Sequence, residues 1–201
     1  MEFGLVLILA YLIGSIPFSH IFPKLKGKDV SQAGTRNIGA TNVLVVAGPL
    51  MAALALAGDV GKGFLAVSLA KYYSFDPWLA ALAGVAAIAG HDFPIFLKFK
   101  GGKGLATTVG ALLAFDAVFA AIVLLFWVLL ILITRYFILS NLIILGSLPL
   151  MTFVAGKRIE YITFAILAFI LALYTHRQDI KRLASGQELR TSEAIKHFLG
   201  R

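Results

Sequence analysis

The chain contains no cysteine among its 201 residues. This absence excludes disulfides, zinc sites built on cysteine and a thiol nucleophile. Charge is also scarce, since 14% of the residues are Asp, Glu, Lys or Arg whereas 60% are hydrophobic. Soluble globular domains have about 25% charged residues, so the composition excludes that class. We predict an integral membrane protein with little soluble mass.

Most of the chain falls into long stretches without a formal charge. A helix needs about 20 mainly apolar residues to cross a bilayer, and runs of this length favour helix over strand. Strands of a transmembrane barrel would instead alternate in pieces of about 10 residues. The pattern predicts an all-α polytopic membrane protein with about seven apolar helices, some of them partial. The apolar segments are residues 3–22, 38–57, 61–75, 77–91, 104–133, 137–156 and 159–175.

Acidic residues are the scarcer charge, with 10 Asp and Glu against 18 Lys and Arg and a net charge of +8. Four, three and six of the basic residues lie in residues 24–36, 98–103 and 177–201. Cytoplasmic loops are enriched in Lys and Arg, which predicts that all three segments face the cytoplasm. Orientation together with attraction to anionic lipid head groups is one account of the charge in residues 24–28 and 190–201, but it does not explain the glycines interleaved with lysine at residues 101–104.

The number of crossings must agree with that sidedness. An even number of spans has to separate two loops on one side, yet three apolar segments lie between residues 36 and 98. We therefore expect residues 61–75 to enter the membrane only part way, and a second partial helix after residue 104. About five full spans would then place the N-terminus outside and the C-terminus in the cytoplasm. Residues 1–201 are expected to form one membrane domain with a short basic tail, residues 176–201.

A glycine-rich and lysine-rich loop, residues 90–104, separates two of the apolar segments. Gly101, Gly102 and Gly104 surround Lys103. Glycine permits a positive φ and brings backbone N–H groups close to an anion, and the lysine adds a full positive charge. The string does not match the nucleotide-binding pattern G-x-x-x-x-G-K-[ST]. We predict a site for a phosphate at a membrane surface.

A second polar segment, residues 28–42, leads directly into an apolar helix. We expect Thr35 or Asn37 to cap that helix, and the N–H groups of a helix N-terminus form an anion site. More polar residues are present than one cap requires. Two anion sites on one face indicate two phosphorylated groups. The candidate residues are Thr35, Arg36, Asn37, Thr41 and Asn42.

Asp59 and Lys62 interrupt sequence that is otherwise free of charge. One interpretation is an ion pair in a short exposed turn. The other is that Lys62 reaches a phosphate while Asp59 holds it in place, because a charge inside the membrane is functional by default. His91 is open to interpretation as a base, a hydrogen-bond donor or a helix cap.

The last polar segment begins where a span ends, at His176. One interpretation is that this histidine, at the lipid interface, simply extends its polar tip toward water. Lys181 and Arg182 fit positive-inside placement, and Arg177, Lys181 and Glu188 are also candidates to line the polar site.

Together these motifs resemble the bacterial acyl-phosphate:glycerol-3-phosphate acyltransferases, the PlsY family, over nearly the whole chain. Departures occur at a few positions. The family's first motif usually reads Gly-Ser-Gly-Asn, but Thr35 and Arg36 stand at its serine and second glycine. Ser31 and Val45 stand where arginines are expected, and Asp179 where asparagine is usual. The resemblance is carried by residues 34–42, 59–63, 90–107 and 180–188.

The resemblance implies transfer of a fatty acyl group from acyl phosphate to the 1-hydroxyl of glycerol 3-phosphate, giving lysophosphatidic acid and phosphate. It implies membrane lipid as the surroundings, no cofactor, metal or nucleic acid, and a monomer in the bacterial inner membrane. Lys103 and the backbone of residues 101–104 would hold a phosphate and the developing oxyanion. Arg36, Thr41 and Asn42 would orient the other phosphate, with Lys62, Lys181 and Arg182 as auxiliary cations.

The proton acceptor is left open. His91, His176 and Glu188 are the candidate general bases, and a phosphate oxygen of the substrate is the alternative. A transporter of phosphorylated solutes is a competing class, because it would also place cations and broken helices near a central site. It would usually show an internal repeat, which the sequence lacks, and the polar motifs cluster on one predicted face.

Overall fold

The structure is a computed structural model that describes residues 2–191 and 193. Every regular element in this range is helical, which confirms the all-α prediction. The helices are α1 (Glu2–Ser15), α2 (Phe18–Lys24), α3 (Ala40–Ala47), α4 (Pro49–Tyr73), α5 (Pro77–Asp92), α6 (Leu105–Phe115), α7 (Ala117–Thr134), α8 (Phe137–Val154), α9 (Ile159–Thr175) and α10 (Arg177–Ala184), with a 3₁₀ turn at Ile95–Leu97.

The lengths and compositions of these helices fit a polytopic membrane protein. Five helical segments are long and apolar enough to cross a membrane, and α9 with α10 makes a sixth if this pair, bent by 66°, is counted as one span. Helix α6 is apolar but shorter. The five segments are Glu2–Lys24, Pro49–Tyr73, Pro77–Leu97, Ala117–Thr134 and Phe137–Val154.

The expectation that residues 61–75 form a partial helix is wrong. Residues 61–73 belong to α4, which continues for 25 residues through Asp59 and Lys62. The short helix is α3, with 8 residues, which ends at Gly48 with φ +86° directly before Pro49. A left-handed glycine ends a helix and proline begins the next one. The break therefore follows the Gly-Pro pair and not the charged residues.

The apolar stretch of residues 104–133 is divided into two helices at Asp116. Helix α6 covers 11 residues, and the carboxylate of Asp116 then caps α7 by accepting a hydrogen bond from the Phe119 N–H at 2.9 Å. Asp116 also pairs with Lys157 at 2.6 Å. The second partial helix expected after residue 104 is thus α6.

Contacts between loops show which segments share one end of the helix bundle. Gly102 packs against the backbone oxygen of Ile38, and Lys103 pairs with Asp179. These contacts bring the basic segments together, as their charge predicts. The segments at this end, named the basic end below, are residues 24–36, 98–103 and 177–191.

The opposite end holds the C-termini of α4 and α6 and the loop between α8 and α9. There Lys71 donates a hydrogen bond to the Ala114 carbonyl at 2.9 Å. Residues 192 and 194–201 of the predicted basic tail lie outside the described residues. The orientation of the two ends across a membrane stays a prediction.

Two glycine crossings fix the helices that carry the polar residues. A Cβ on Gly14 would collide with the backbone of Ala87, and one on Gly90 with the backbone of α1, so α1 and α5 touch there. Gly63 and Gly110 bring α4 and α6 equally close. Small residues allow such close approach of membrane helices, where packing rather than water drives association.

Candidate active site

Asp59 is the centre of a buried polar cluster in the middle of α4. Its carboxylate accepts a hydrogen bond from Ser19 at 2.6 Å and lies 3.0 Å from Nζ of Lys62 and 3.5 Å from Nδ1 of His91. Lys62 also donates to the Ile16 carbonyl at 3.0 Å. Asp59 and Lys62 are only 1% and 3% exposed, so the interpretation of this pair as a short exposed turn is wrong. Residues three apart lie on one helix face, which lets the pair form within α4.

The glycine-rich loop wraps around His91, the penultimate residue of α5. Gly102 donates its N–H to the His91 carbonyl at 3.1 Å. A side chain on Gly101 would collide with that carbonyl, and one on Gly102 with the imidazole Nε2. Gly104 has φ +73° and caps α6, a conformation that favours glycine. The glycines thus let the loop pass over the histidine and turn into α6.

A small cavity lies where the cluster, the loop and the first polar segment meet. It joins α1, α2, α4 and α5 with both predicted anion segments, because each contributes residues to its wall. The lining residues are Ser15, Pro17, Ser19, Ile38, Asp59, Lys62, His91, Pro94 and Gly101.

Lys103 belongs to a chain of alternating charges along α10. Its ammonium pairs with one carboxylate oxygen of Asp179, and the other oxygen pairs with Arg182. Arg182 also donates to Glu188 at 2.9 Å. The carboxylate of Asp179 is buried, whereas the Lys103 side chain is 22% exposed. The sequence places Lys103, Arg182 and Glu188 among the candidates but not Asp179, whose contact with Lys103 spans 76 residues of the chain.

His176 is fully buried at the bend between α9 and α10. Its Nδ1 lies 2.9 Å from the Ala172 carbonyl, so Nδ1 carries the proton in the neutral ring. Nε2 then presents a lone pair, and it has no hydrogen-bond partner within the described part of the chain. A Cβ on Gly102 would collide with Nε2 of His91, a residue that also lines the cavity, and Glu188 accepts from Arg182. The identity of the base stays a prediction.

Asp92 is a buried carboxyl group that sequence reasoning did not place in the site. Neither of its oxygens has a hydrogen-bond partner among residues 2–191 and 193. A Cβ on Gly104 would lie 3.1 Å from Oδ1, which places the carboxyl at the N-terminal end of α6. This end favours negative groups.

The first polar segment is organised by Asn42, which is 1% exposed. Its side-chain oxygen accepts from the Thr35 N–H at 2.9 Å, and its NH₂ lies 2.9–3.2 Å from the carbonyls of Val30, Ala33 and Asn37. The prediction that Thr35 or Asn37 caps the following helix is wrong, because the N-cap of α3 is Gly39. Asn42 draws the loop together, and a Cβ on Gly34 would collide with its side-chain oxygen.

The remaining candidates lie at the basic end without joining the buried cluster. Arg36 has φ +59° and is exposed, and Thr41 is also exposed. The guanidinium of Arg177 lies 4.3 Å from the ring centre of Tyr174, and Lys181 is exposed. Phosphate binding by Arg36, Thr41, Arg177 and Lys181 stays a prediction.

A bundle of apolar helices that holds a glycine–lysine loop, a buried histidine and several cations at one end is typical of an integral membrane protein that acts on an anionic substrate. The family model described as glycerol-3-phosphate acyltransferase matches residues 4–186. The chain belongs to this family, as the sequence motifs predicted.

Relatives and solved structures agree with that assignment. The glycerol-3-phosphate acyltransferase of Thermotoga petrophila is 40% identical over 94% of this chain and 96% of its own length, and that of Aquifex aeolicus is 38% identical over 92% and 97%. Crystal structures of PlsY, an integral membrane glycerol 3-phosphate acyltransferase, are also similar. The glycerol 3-phosphate form has a TM-score of 0.88 at 37% identity, covering 94% of this chain and 96% of that one. The lysophosphatidic acid form has a TM-score of 0.88 at 36% identity, covering 97% and 99%.

Proposed function

We propose that this protein transfers a fatty acyl group from acyl phosphate to the 1-hydroxyl of glycerol 3-phosphate. The observation that carries the proposal is the position of Lys103, a partly exposed cation in a glycine loop beside the buried histidine His176. Both substrates carry a phosphate, and one carries an acyl chain that the apolar helices would accommodate. Membership of the family supports glycerol 3-phosphate as the acceptor.

In this reaction the hydroxyl oxygen of glycerol 3-phosphate attacks the acyl carbon. An ester bond forms, the bond from the acyl carbon to the phosphate oxygen breaks, and inorganic phosphate leaves. The hydroxyl proton passes to Nε2 of His176 or to an oxygen of the departing phosphate. Because phosphate is a good leaving group, the protein mainly orients the substrates and stabilises developing charge.

The surroundings of each candidate residue indicate its role. Lys103 and the N–H groups of its loop stabilise a phosphate and the oxyanion. Asp59 contacts His91, and Lys62 pairs with Asp59, so we assign Asp59 and Lys62 positioning roles. The exposed candidates Arg36 and Thr41 bind the phosphate of the other substrate.

The cellular setting follows from charge. The basic end carries the site, and basic loops face the cytoplasm, so we place the site on the cytoplasmic side of the bacterial inner membrane. Residues 1–201 form one domain that works as a monomer.

The first experiment compares wild type with Lys103→Ala after reconstitution in lipid vesicles, using acyl phosphate and labelled glycerol 3-phosphate. We expect lysophosphatidic acid from wild type and a loss of about 10²–10³-fold in kcat/KM for the variant, since one stabilising donor at a developing charge contributes that much. Lys100→Ala is the matched control, because Lys100 is an exposed lysine of the same loop outside the ion-pair chain.

Other outcomes would be equally informative. Unchanged activity in Lys103→Ala would remove the lysine from the site while keeping the reaction. Product from acyl-CoA or acyl-carrier protein alone would change the donor. No product with any donor would contradict the enzyme proposal and make vesicle transport of glycerol 3-phosphate the next assay.

A further inference from the structure

Lys103 is already paired with an anion that belongs to the protein. Asp179 is 3% exposed and lies between two cations, with Lys103 on one carboxylate oxygen and Arg182 on the other. Lys103 and Asp179 are 76 residues apart in the chain, so this contact is made by the tertiary fold. A substrate phosphate that binds Lys103 meets a carboxylate already in contact with it.

The four charges of this group of ion pairs cancel. Lys103 and Arg182 contribute two positive charges, and Asp179 and Glu188 two negative ones. The group therefore supplies no net attraction for an anion unless a contact changes. A phosphate dianion carries more charge than a carboxylate and attracts an ammonium more strongly at equal distance.

The exposures of the partners indicate which contact can change. The Lys103 side chain is 22% exposed, so an anion from the site can reach its ammonium, which has three hydrogens to donate. The carboxylate of Asp179 is 4% exposed and cannot leave for water. If Lys103 turns to a phosphate, the Arg182 guanidinium still satisfies Asp179, so the carboxylate does not become an unpaired buried charge.

We propose that Asp179 is an internal counter-ion that competes with phosphate for Lys103. Lys103 exchanges Asp179 for a substrate phosphate on binding and returns to Asp179 when inorganic phosphate leaves. Asp179 thus weakens phosphate binding and hastens product release. The inference rests on the proposed function.

The test is Asp179→Asn, read by the inhibition constant of inorganic phosphate, the KM for glycerol 3-phosphate and kcat. We expect phosphate to inhibit about three- to tenfold more strongly, because removal of an opposing charge a few ångströms away favours the anion even with solvent screening. KM for glycerol 3-phosphate should fall or stay unchanged. Weaker or unchanged inhibition by phosphate would overturn the proposal and leave Asp179 as a positioning residue.

Asp116→Asn is the matched control, because it removes one carboxylate paired with a lysine at the opposite end of the bundle. Asparagine still caps a helix, so we expect phosphate inhibition equal to wild type. An equal shift in both variants would also overturn the proposal, since it would reflect net charge alone. Asp179→Glu, which keeps the charge, should stay within about twofold of wild type.

Isothermal titration calorimetry of inorganic phosphate with nanodisc-embedded protein separates this inference from the proposed function. If wild type makes no lysophosphatidic acid, the function fails, but the affinities still decide the role of Asp179. Tighter phosphate binding by Asp179→Asn than by wild type supports it, and equal or weaker binding overturns it. If this variant does not fold, Asp179→Ser gives the same comparison.

Discussion

Asn42 shows how one side chain can fix a loop without touching a substrate. Its amide satisfies one backbone N–H and faces three backbone carbonyls of the segment before α3. Buried polar groups left without partners cost about 1–3 kcal/mol each. The neighbouring Thr41 is exposed at the start of the same helix. Adjacent residues of one motif therefore have opposite surroundings.

This difference gives a prediction at the residue scale. Asn42→Ala should lower the free energy of unfolding by about 2–4 kcal/mol, because several buried backbone groups lose their partner. Thr41→Ala should leave thermal stability unchanged but raise the KM for glycerol 3-phosphate. Thermal unfolding in detergent and steady-state kinetics measure the two effects. A stability loss shared equally by both variants would contradict the assignment.

Residue types alone single out Lys103 and its glycines as an anion-site candidate, and their phosphate binding stays a prediction. Residue types could not reveal the positions of Asp179 or Asp92. Asp179 is recognisable only once α10 folds back onto the loop, and Asp92 only once α6 begins beside it. Side-chain capping by Thr35 or Asn37 is a local expectation, but α3 begins at Gly39 after a loop that Asn42 holds by hydrogen bonds.

Among the elements, α4 and α6 are held together by glycines rather than by large apolar side chains. A Cβ on Gly63 would enter the backbone of α6 at Thr107. Gly61, two residues earlier on the same helix, is exposed, and a Cβ there meets nothing within 4 Å. The two glycines therefore form a matched pair.

We expect Gly63→Ala to destabilise the protein by about 1–3 kcal/mol, because overpacking forces the helices apart. Activity should fall as well, since α4 carries Asp59 and α6 begins at the loop. Gly61→Ala should be neutral or slightly stabilising, because alanine favours helix. The unfolding midpoint of each purified variant measures this. Equal midpoints would mean that the crossing tolerates a methyl group.

The helices could be predicted from hydrophobic runs, but two of their boundaries could not. The charged residues at positions 59–62 predict a helix break, yet Asp59 and Lys62 neutralise each other inside α4. The true breaks follow backbone chemistry, at Gly48-Pro49 and at the cap Asp116. Runs of apolar residues reflect contact with lipid and with the protein core, whereas the positions of helix breaks depend on backbone φ and on capping.

For the whole molecule, basic residues gather at one end of the bundle, where the site also lies. The orientation of this end is testable because the chain has no cysteine of its own. Single substitutions at exposed positions then report sidedness without background. Lys26 and Ser185 mark the basic end, and Phe75 the opposite end.

We expect Lys26→Cys and Ser185→Cys to react with a membrane-impermeant maleimide only in inverted vesicles, because basic loops stay in the cytoplasm. Phe75→Cys should react in intact cells. Gel shifts after labelling read out the result. The reverse pattern would place the site outside the cell, where acyl phosphate and glycerol 3-phosphate made in the cytoplasm could not reach it.

The ion pair inside α4 also bears on how the protein enters the membrane. During synthesis α4 emerges before α5, so Asp59 would reach the lipid before His91 exists to contact it. Its counter-charge, Lys62, follows within one helical turn and lies 3.0 Å away. The helix thus carries its own neutralising partner through the insertion machinery, which lowers the cost of a lone charge in lipid. Membrane entry of α4 need not wait for the active site to assemble.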